Sequence, residues 1–437
     1  MSKRKISGWG NYPKIEAEFI EPLFTQEVNG KVLNSKTILA RGNGRSYGDA
    51  ALNDKVLSTL KLNCLLGFDN NSGILECESG VLLSIILDFI VPKAYFLPVT
   101  PGTKFITVGG AIASDVHGKN HHKNGCFSNF VLSFNLVDQH GVETRCSREE
   151  NSTLFWQTIG GMGLTGVITS AKISLLPIET AFISQEVVKA QNLDEIMNLF
   201  ELSTDWTYTV AWIDCFRSGK DIGRSLLFRG EHAKLHELPK KLKRAPLYFK
   251  KKGKINVPFN PPSFMLNKFT ISVFNFFIYH KNFKKRKKSI VSYDKFFYPL
   301  DGIHNWNRIY GKSGFIQYQF VIPKEKSRKG LELVLNEISK SGQGSFLAVL
   351  KLFGKENKNA LHTFPMEGYT LALDFKVNSK LPQLVDRLDD IVEELGGKIY
   401  LAKDAMSRST LFSYFQCASN DKFDSYQKKR INQNPKG

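Results

Sequence analysis

Two glycine-rich segments, RGNGRSYGD from Arg41 to Asp49 and TPGTKFITVGGAIASDVHGKNHH from Thr100 to His122, constrain what this chain can become more than any other feature. In the first, Gly42, Gly44 and Gly48 are expected at positive φ, where the missing Cβ lets backbone approach a ligand closely. Successive N–H groups in such a loop form an anion-binding concavity, and Arg41 and Arg45 add charge suited to a pyrophosphate. The glycines, small residues and clustered histidines of the second segment fit a loop wrapped against a bound cofactor. Two such loops predict a dinucleotide held between them.

At 437 residues the chain exceeds the usual single hydrophobic core, so two domains are the default. The first residues are basic but lack an apolar signal core, and the cytoplasm is the expected compartment. Cys64, Cys77, Cys126, Cys146, Cys215 and Cys417 show no CxxC pair and read as buried or incidental thiols. No metal is expected at His117, His121 and His122, because no carboxylate or cysteine completes the set at a recognisable spacing.

The net charge of +19 is concentrated: residues 240–288 hold fifteen Lys or Arg and no Asp or Glu. Basic runs bracket the apolar stretch from Phe269 to Tyr279, which is too short to span a bilayer. It reads as a segment lying in a lipid headgroup region, giving peripheral contact with the inner face of the plasma membrane, or as a solvated basic loop over a buried aromatic segment. No nucleic-acid partner is expected, since no RNA- or DNA-binding signature accompanies the charge.

Residues 1–180 alternate glycine-rich loops with short apolar strands and a helix near Val81 to Val91, an α+β pattern. Residues 181–397 carry strand patterns such as FIQYQFVIP, where Gln317 and Gln319 share one face and Tyr318 and Phe320 the other. The spacing of Leu384, Val385, Leu388, Ile391 and Val392 predicts a helix from Leu381 to Leu395, ended by Gly396 and Gly397. Gly161, Gly163 and Gly166 spell GxGxxG, but they follow a helix-like run and lead into a strand-like one, the reverse of a Rossmann fingerprint.

Both glycine-rich segments, with LFWQTIGGMGLTGVI, AWID, NRIYGKSGFIQYQFVIP, KLFG and YLAKD in the same order, resemble the vanillyl-alcohol oxidase (PCMH-type) flavoproteins, and within them the branch acting on a polyprenyl-phosphate-linked pentose. The resemblance implies an α+β fold: a PCMH-type two-subdomain FAD-binding domain (1–180, with 398–437 returning to it) and an inserted substrate domain (181–397) built on an antiparallel sheet. It implies FAD contacts from Arg41, Gly42, Asn43, Gly44, Arg45, Ser46, Tyr47 and Gly48 in the first segment. In the second it implies Thr100, Pro101, Gly102, Thr107, Gly109, Gly110, Ala113, Ser114, His117, Gly118 and Asn120. Gly163, Gly166, Ile168 and Tyr400 complete that set. Asn43 stands where some relatives carry a flavin-linking histidine, implying noncovalent FAD.

A flavin oxidising an alcohol needs a group to take the hydroxyl proton. Lys403 is the first candidate, on a strand face shared with Ile399 and Leu401, where partial burial would lower its pKa. His117 is the second, as proton relay or orienting group. Tyr47, Trp212, Gln317, Gln319, Lys351 and Thr370 match substrate-pocket positions, with core packing the alternative for Trp212. Their types suit a phosphosugar: amides for hydroxyls, a lysine for charge, an aromatic wall. The expected activity is oxidation of a secondary sugar hydroxyl to a ketone in surface-glycan synthesis, with a separate short-chain reductase acting on the product. A soluble alditol or aldonolactone oxidase and a noncatalytic flavin or lipid-phosphate binding protein are the alternatives.

Overall fold

A computed structural model describes residues 3–433 except 251–252, 254, 262–266, 282–283, 346, 414 and 416–421. The expectations for Cys417 and for Lys251, Lys252 and Lys254 lie outside the described residues.

The first half builds two larger sheets and a two-stranded one that pairs Tyr95–Phe96 with Leu176–Pro177. Four strands run in the order Lys3–Ser7, Lys14–Ile20, Lys55–Ser58, Leu39–Arg41, and five antiparallel strands in the order Leu65–Asp69, Ile74–Glu78, Val167–Ser174, Val131–Val137, Glu143–Ser147. The expected helix is Leu83–Ile90, whose Leu83, Ile86, Leu87 and Ile90 are buried at helical spacing. The GxGxxG run lies between the helix Ser152–Thr158 and the strand Val167–Ser174, as its reversed order predicted.

The second half builds one eight-stranded antiparallel sheet. Its order is Arg286–Ser292, Phe182–Ala190, Ser225–His232, Tyr208–Ile213, Ala348–Phe353, Gly368–Lys376, Phe315–Pro323, Lys398–Ile399. The short last strand lies past residue 397 yet pairs Ile399 with Phe320. Tyr318, Phe320, Leu350, Leu371 and Leu373 join one core with Leu331, Val334, Leu384 and Leu388 of the helices Lys324–Ser341 and Leu381–Glu394. The helix Leu381–Glu394 ends where Gly396 takes φ 73°, a conformation that favours glycine.

The basic segment is not a loop over a buried aromatic run, which corrects one of the two readings above. Lys268–His280 is a helix that buries Ile271, Asn275 and Tyr279 and exposes Phe269, Val273, Phe274, Phe276 and Phe277. The inward face is fastened by the Asn275 amide, which donates to Asp214 at 2.8 Å, and by the Tyr279 hydroxyl, which donates to the Ala190 carbonyl. No helix among the described residues is long and apolar enough to cross a membrane. Cys64 is exposed, and Cys77, Cys126, Cys146 and Cys215 are buried free thiols.

The glycines of the first segment also differ from expectation. Only Gly44 has positive φ, at 58°. Gly42 and Gly48 are required for close approach of the protein to itself: a Cβ would sit 2.2 Å from Thr107 Oγ1 at Gly42 and 2.0 Å from the Asp404 carbonyl oxygen at Gly48. At Gly102 a Cβ meets nothing within 4 Å. Gly48→Ala is therefore expected to destabilise by about 1–3 kcal/mol through overpacking, and Gly102→Ala to stay within about 0.5 kcal/mol. Urea denaturation of both variants checks this, and equal midpoints would contradict it.

Candidate active site

Directly opposed residues in an antiparallel pair project to the same side of a sheet. Trp212 pairs with Val349, Val349 with Ala372, and Ala372 with Gln319, while Lys351 pairs with Thr370 and Gln317 with Asp374. The register thus gathers Trp212, Lys351, Thr370, Gln319, Gln317 and Asp374 on the face turned away from the covering helices. Onto this face come Tyr47 and His117 from loops of the first half, and Lys403 from the turn that follows the last strand of the sheet itself.

One cluster centres on Asp374. Its Oδ1 accepts from Gln317 Nε2 at 2.6 Å and its Oδ2 from the Tyr310 hydroxyl at 3.1 Å. Burial pushes this carboxyl up to about 7, against the pull of its two donors. Lys403 Nζ lies 4.0 Å from the centroid of the Tyr47 ring. Burial lowers Lys403 to about 7, the attraction of Asp374 opposes this, and Lys351 adds repulsion. Burial also raises the Tyr47 phenol well above its ordinary range, so it is neutral.

Lys403 does not stand on a strand, contrary to expectation. The strand ends at Ile399, and the Lys403 N–H closes a turn on the Tyr400 carbonyl at 2.9 Å. The turn breaks the alternation that would have put Lys403 on a face with Ile399 and Leu401.

A second cluster centres on His117. Gln319 Nε2 donates to His117 Nε2 at 3.0 Å, which leaves the imidazole proton on Nδ1. That Nδ1 is buried without a hydrogen-bond partner among the described residues. Burial, then the charges of Lys351, His121 and Lys403, hold the His117 pKa well below the usual value, so the ring is neutral. Thr370 is fully enclosed; its hydroxyl donates to the Phe320 carbonyl at 2.7 Å and accepts from Gln319 at 3.3 Å. It therefore orients Gln319 and has no free face of its own.

Positive groups surround this cluster. Burial lowers Lys351 to about 8 and Lys119 to about 7, with Lys351 adding to the Lys119 shift. Lys119 Nζ donates to the Phe297 carbonyl at 3.0 Å. Lys119, Lys351 and Lys403 are each at most partly exposed. Three partly desolvated lysines beside the neutral His117 make a receptor for an anion. Trp212 sits apart, packed beside Val187, Leu226 and Tyr279 under the exposed-aromatic helix.

The cofactor positions divide similarly. Asn43 Nδ2 donates to the Phe105 carbonyl at 2.7 Å, joining the two glycine-rich segments. Arg41, expected beside a pyrophosphate, instead donates to the carbonyls of Ala51 and Ser7, at 2.8 and 2.6 Å, because it closes a strand and points into the protein. The Arg45 guanidinium lies 3.9 Å over the Trp9 ring. Thr107 Oγ1 accepts from the Gly110 N–H, the Thr100 hydroxyl meets Tyr298, and the Tyr400 hydroxyl donates to the Ser114 carbonyl at 2.8 Å. The Ala113 carbonyl accepts from the Met162 N–H, which binds the GxGxxG turn beneath the second segment. Gly163 has φ 79°, and a Cβ on Gly166 or Gly118 would strike the Val137 carbonyl or Asn120.

Buried polar atoms favour a bound group here. Arg45 Nε, Ser46 Oγ, Ser79 Oγ and Asn120 Oδ1 have no hydrogen-bond partner among the described residues, and all lie in or against the two glycine-rich segments. A flavin dinucleotide offers phosphate, ribityl and ring atoms of complementary type. No group of metal-ligating side chains occurs among the described residues.

Asp374, Tyr310 and Lys119 were not singled out from the sequence. Asp374 left a signal, since it follows Thr370 by four residues on the same strand face in an otherwise apolar run. Tyr310 lay inside the motif NRIYGKSGFIQYQFVIP without a role of its own, because it reaches Asp374 from the turn Trp306–Tyr310 by tertiary packing.

Comparisons with known proteins show the family. Residues 32–147 match the family model described as FAD binding domain. The chain is 36% identical over 419 residues to decaprenylphosphoryl-β-D-ribose oxidase of Mycolicibacterium smegmatis, covering 94% of this chain and 90% of that protein. It is 28% identical over 145 residues to D-lactate dehydrogenase of Anaerostipes hadrus, covering 32% of this chain and 30% of the relative. It is 26% identical over 170 residues to human Delta(24)-sterol reductase, covering 38% of this chain and 33% of the relative.

The Lys403–Asp374 arrangement is testable without turnover. Labelling of Lys403 by an amine-selective reagent is expected to reach half its maximal rate near pH 7. Asp374→Asn removes the attraction that favours the ammonium, so the half-point should move to lower pH. A half-point near the ordinary lysine value of about 10.4 would contradict the burial argument.

Proposed function

The chain belongs to the decaprenylphosphoryl-β-D-ribose oxidase family of FAD-dependent oxidoreductases, and on that premise we propose that it oxidises a secondary hydroxyl of a pentose carried on a polyprenyl phosphate to a ketone. The observation that carries this reading is the convergence on one sheet face of two amides, a lysine poised near neutrality and a cluster of partly desolvated cations. A sugar hydroxyl, its proton and a neighbouring phosphate each find a suitable partner there.

FAD supplies the acceptor for the electron pair when bound. Asn43, Arg45, Ser46, Tyr47, Thr107, His117 and Tyr400 are the residues we assign to holding it. The amide of Asn43 is no nucleophile, which supports noncovalent attachment. Lys403, with a pKa near 7, is neutral in a large fraction of molecules at neutral pH and takes the hydroxyl proton. His117, neutral and with Nδ1–H unpaired among the described residues, donates a hydrogen bond that orients substrate or cofactor oxygen. Gln317, fixed by Asp374, and Gln319, fixed by His117 and Thr370, present amides to the remaining hydroxyls. Lys351 and Lys119 attract the phosphate. We divide the chain near residue 180 into cofactor and substrate domains, the sheet beginning at Phe182 being the support for that division. A separate reductase acting on the keto sugar would complete an epimerisation.

The exposed face of Lys268–His280 supports peripheral membrane contact. Phenylalanine side chains on one side of a helix, with lysine-rich runs at both ends, match the apolar and electrostatic halves of interfacial binding.

Lys403→Ala is expected to slow anaerobic bleaching of the flavin by a short polyprenyl-phosphoryl ribose about 10²–10⁴-fold. In the unaltered protein the bleaching rate should rise with pH through about 7, because the neutral amine is the active form. Bleaching by free alditols instead would assign the protein to soluble sugar-alcohol oxidation. Replacing Phe276 and Phe277 by serine should weaken sedimentation with anionic phosphatidylserine vesicles by about 1.5–3 kcal/mol per inserted ring. Unchanged sedimentation would remove the membrane reading.

A further inference from the structure

The loop that carries Lys403 and the glycine-rich loop that carries Tyr47 are pressed together. The Tyr47 N–H donates to the Ala402 carbonyl at 3.0 Å, and no side chain fits between Gly48 and the Asp404 carbonyl. Each loop ends in a buried aspartate, Asp49 in one and Asp404 in the other. Two buried carboxylates side by side repel unless a cation lies between them.

That cation is Arg430, from the helix Tyr426–Gln433 near the end of the chain. Its Nε and Nη2 donate to Oδ2 and Oδ1 of Asp49 at 2.8 and 3.0 Å, a bidentate pair. The same Nη2 reaches Asp404 Oδ2, and Nη1 donates to the Ser407 carbonyl at 3.1 Å. One turn earlier, Gln427 Nε2 donates to the Leu401 carbonyl at 2.8 Å and to Asp404 at 3.3 Å. The other Asp404 oxygen accepts the N–H groups of Met406 and Ser407 at 3.1 and 2.8 Å. The Tyr426 N–H donates to the Leu52 carbonyl at 2.8 Å, seating the helix on the first half of the chain.

We propose that Arg430 is a positioning residue for the reaction: by bridging Asp49 and Asp404 it locks the Lys403 turn against the Tyr47 loop and so fixes the lysine over the Tyr47 ring. Arg430 sits behind the loops and acts through them. The inference rests on the assignment of Lys403 as proton acceptor only for its catalytic consequence; the clamp itself is a matter of geometry. A lysine at position 430 keeps the charge but cannot pair with both carboxylates in a plane, so Arg430→Lys should be an intermediate state.

The test uses the flavin-loaded protein and three variants, Arg430→Ala, Arg430→Lys and Gln427→Leu. With the clamp gone, Lys403 gains water, and the pH at half-maximal amine labelling should rise by about one unit, a tenfold change in proton affinity, in Arg430→Ala. Arg430→Lys should show a smaller rise. Adding guanidinium chloride at low millimolar concentration should return Arg430→Ala toward the unaltered half-point, which relief of general instability would not do. Hydrogen exchange should quicken in residues 400–407 and 41–49 and stay unchanged in the helix Leu381–Glu394. An unmoved half-point in Arg430→Ala, or exchange that quickens equally throughout the chain, would overturn the proposal. If Arg430→Ala does not fold, the proposal stands or falls on Arg430→Lys and Gln427→Leu, which must show the same localised exchange. Retained bleaching in Lys403→Ala would defeat the catalytic assignment of Lys403 while leaving these readouts intact, so the two failures are distinguishable.

Discussion

The register between the strands Phe315–Pro323 and Gly368–Lys376 is the constraint on which the site depends. Side chains alternate strictly across a strand, so a slip of one residue would carry Gln317 and Gln319 into the helix-covered core and bring Tyr318 and Phe320 out. The helices make such a slip costly because Tyr318 is already committed there, its hydroxyl donating to Asp389 at 2.8 Å. The apolar face thus holds the polar face in place. Gln317, Gln319, Thr370 and Asp374 hydrogen-bond one another in pairs, which offsets the cost of burying them.

From that face the electrostatics follow. Lysines are rarely held inside a protein, because desolvation favours the neutral amine. Lys403, Lys351 and Lys119 are nevertheless all drawn down toward neutrality, the attraction of Asp374 for Lys403 and of Asp301 for Lys119 being outweighed by burial. An anionic ligand would supply the missing counter-charge. His117 Nδ1, Arg45 Nε, Ser46 Oγ, Ser79 Oγ and Asn120 Oδ1 add buried polar atoms without a hydrogen-bond partner among the described residues. Opposite them, Asp49, Asp404 and Arg430 are fully paired, a structural counterpart that holds the loops while the facing groups stay free for ligand.

Much of this was legible in the chain. The strand alternation in FIQYQFVIP, the helix Leu381–Glu394 and the reversed order around the GxGxxG run were all readable, since each depends on neighbours within a few residues. The roles of Gly42, Gly48 and Arg41 were misjudged for the opposite reason. Whether a glycine serves a left-handed backbone or a close approach depends on what lies across from it, and Thr107 and Asp404 are remote in sequence. Lys403 was identified, but a turn closed by one backbone hydrogen bond cannot be told from the end of a strand by periodicity.

By itself the sequence determined two glycine-rich loops, the alternation of the strand FIQYQFVIP and a segment of concentrated positive charge, because composition, spacing and alternation are local properties, while FAD entered through the chain's resemblance to a flavoprotein family. Tertiary structure alone decided that Asp374 and Tyr310 would brace Gln317, that the aromatic segment would turn its phenylalanines outward, and that Arg430 would close the two loops. Each of these joins groups far apart along the chain, and their meeting is set by packing and by the need to pair buried charge and hydrogen-bonding groups.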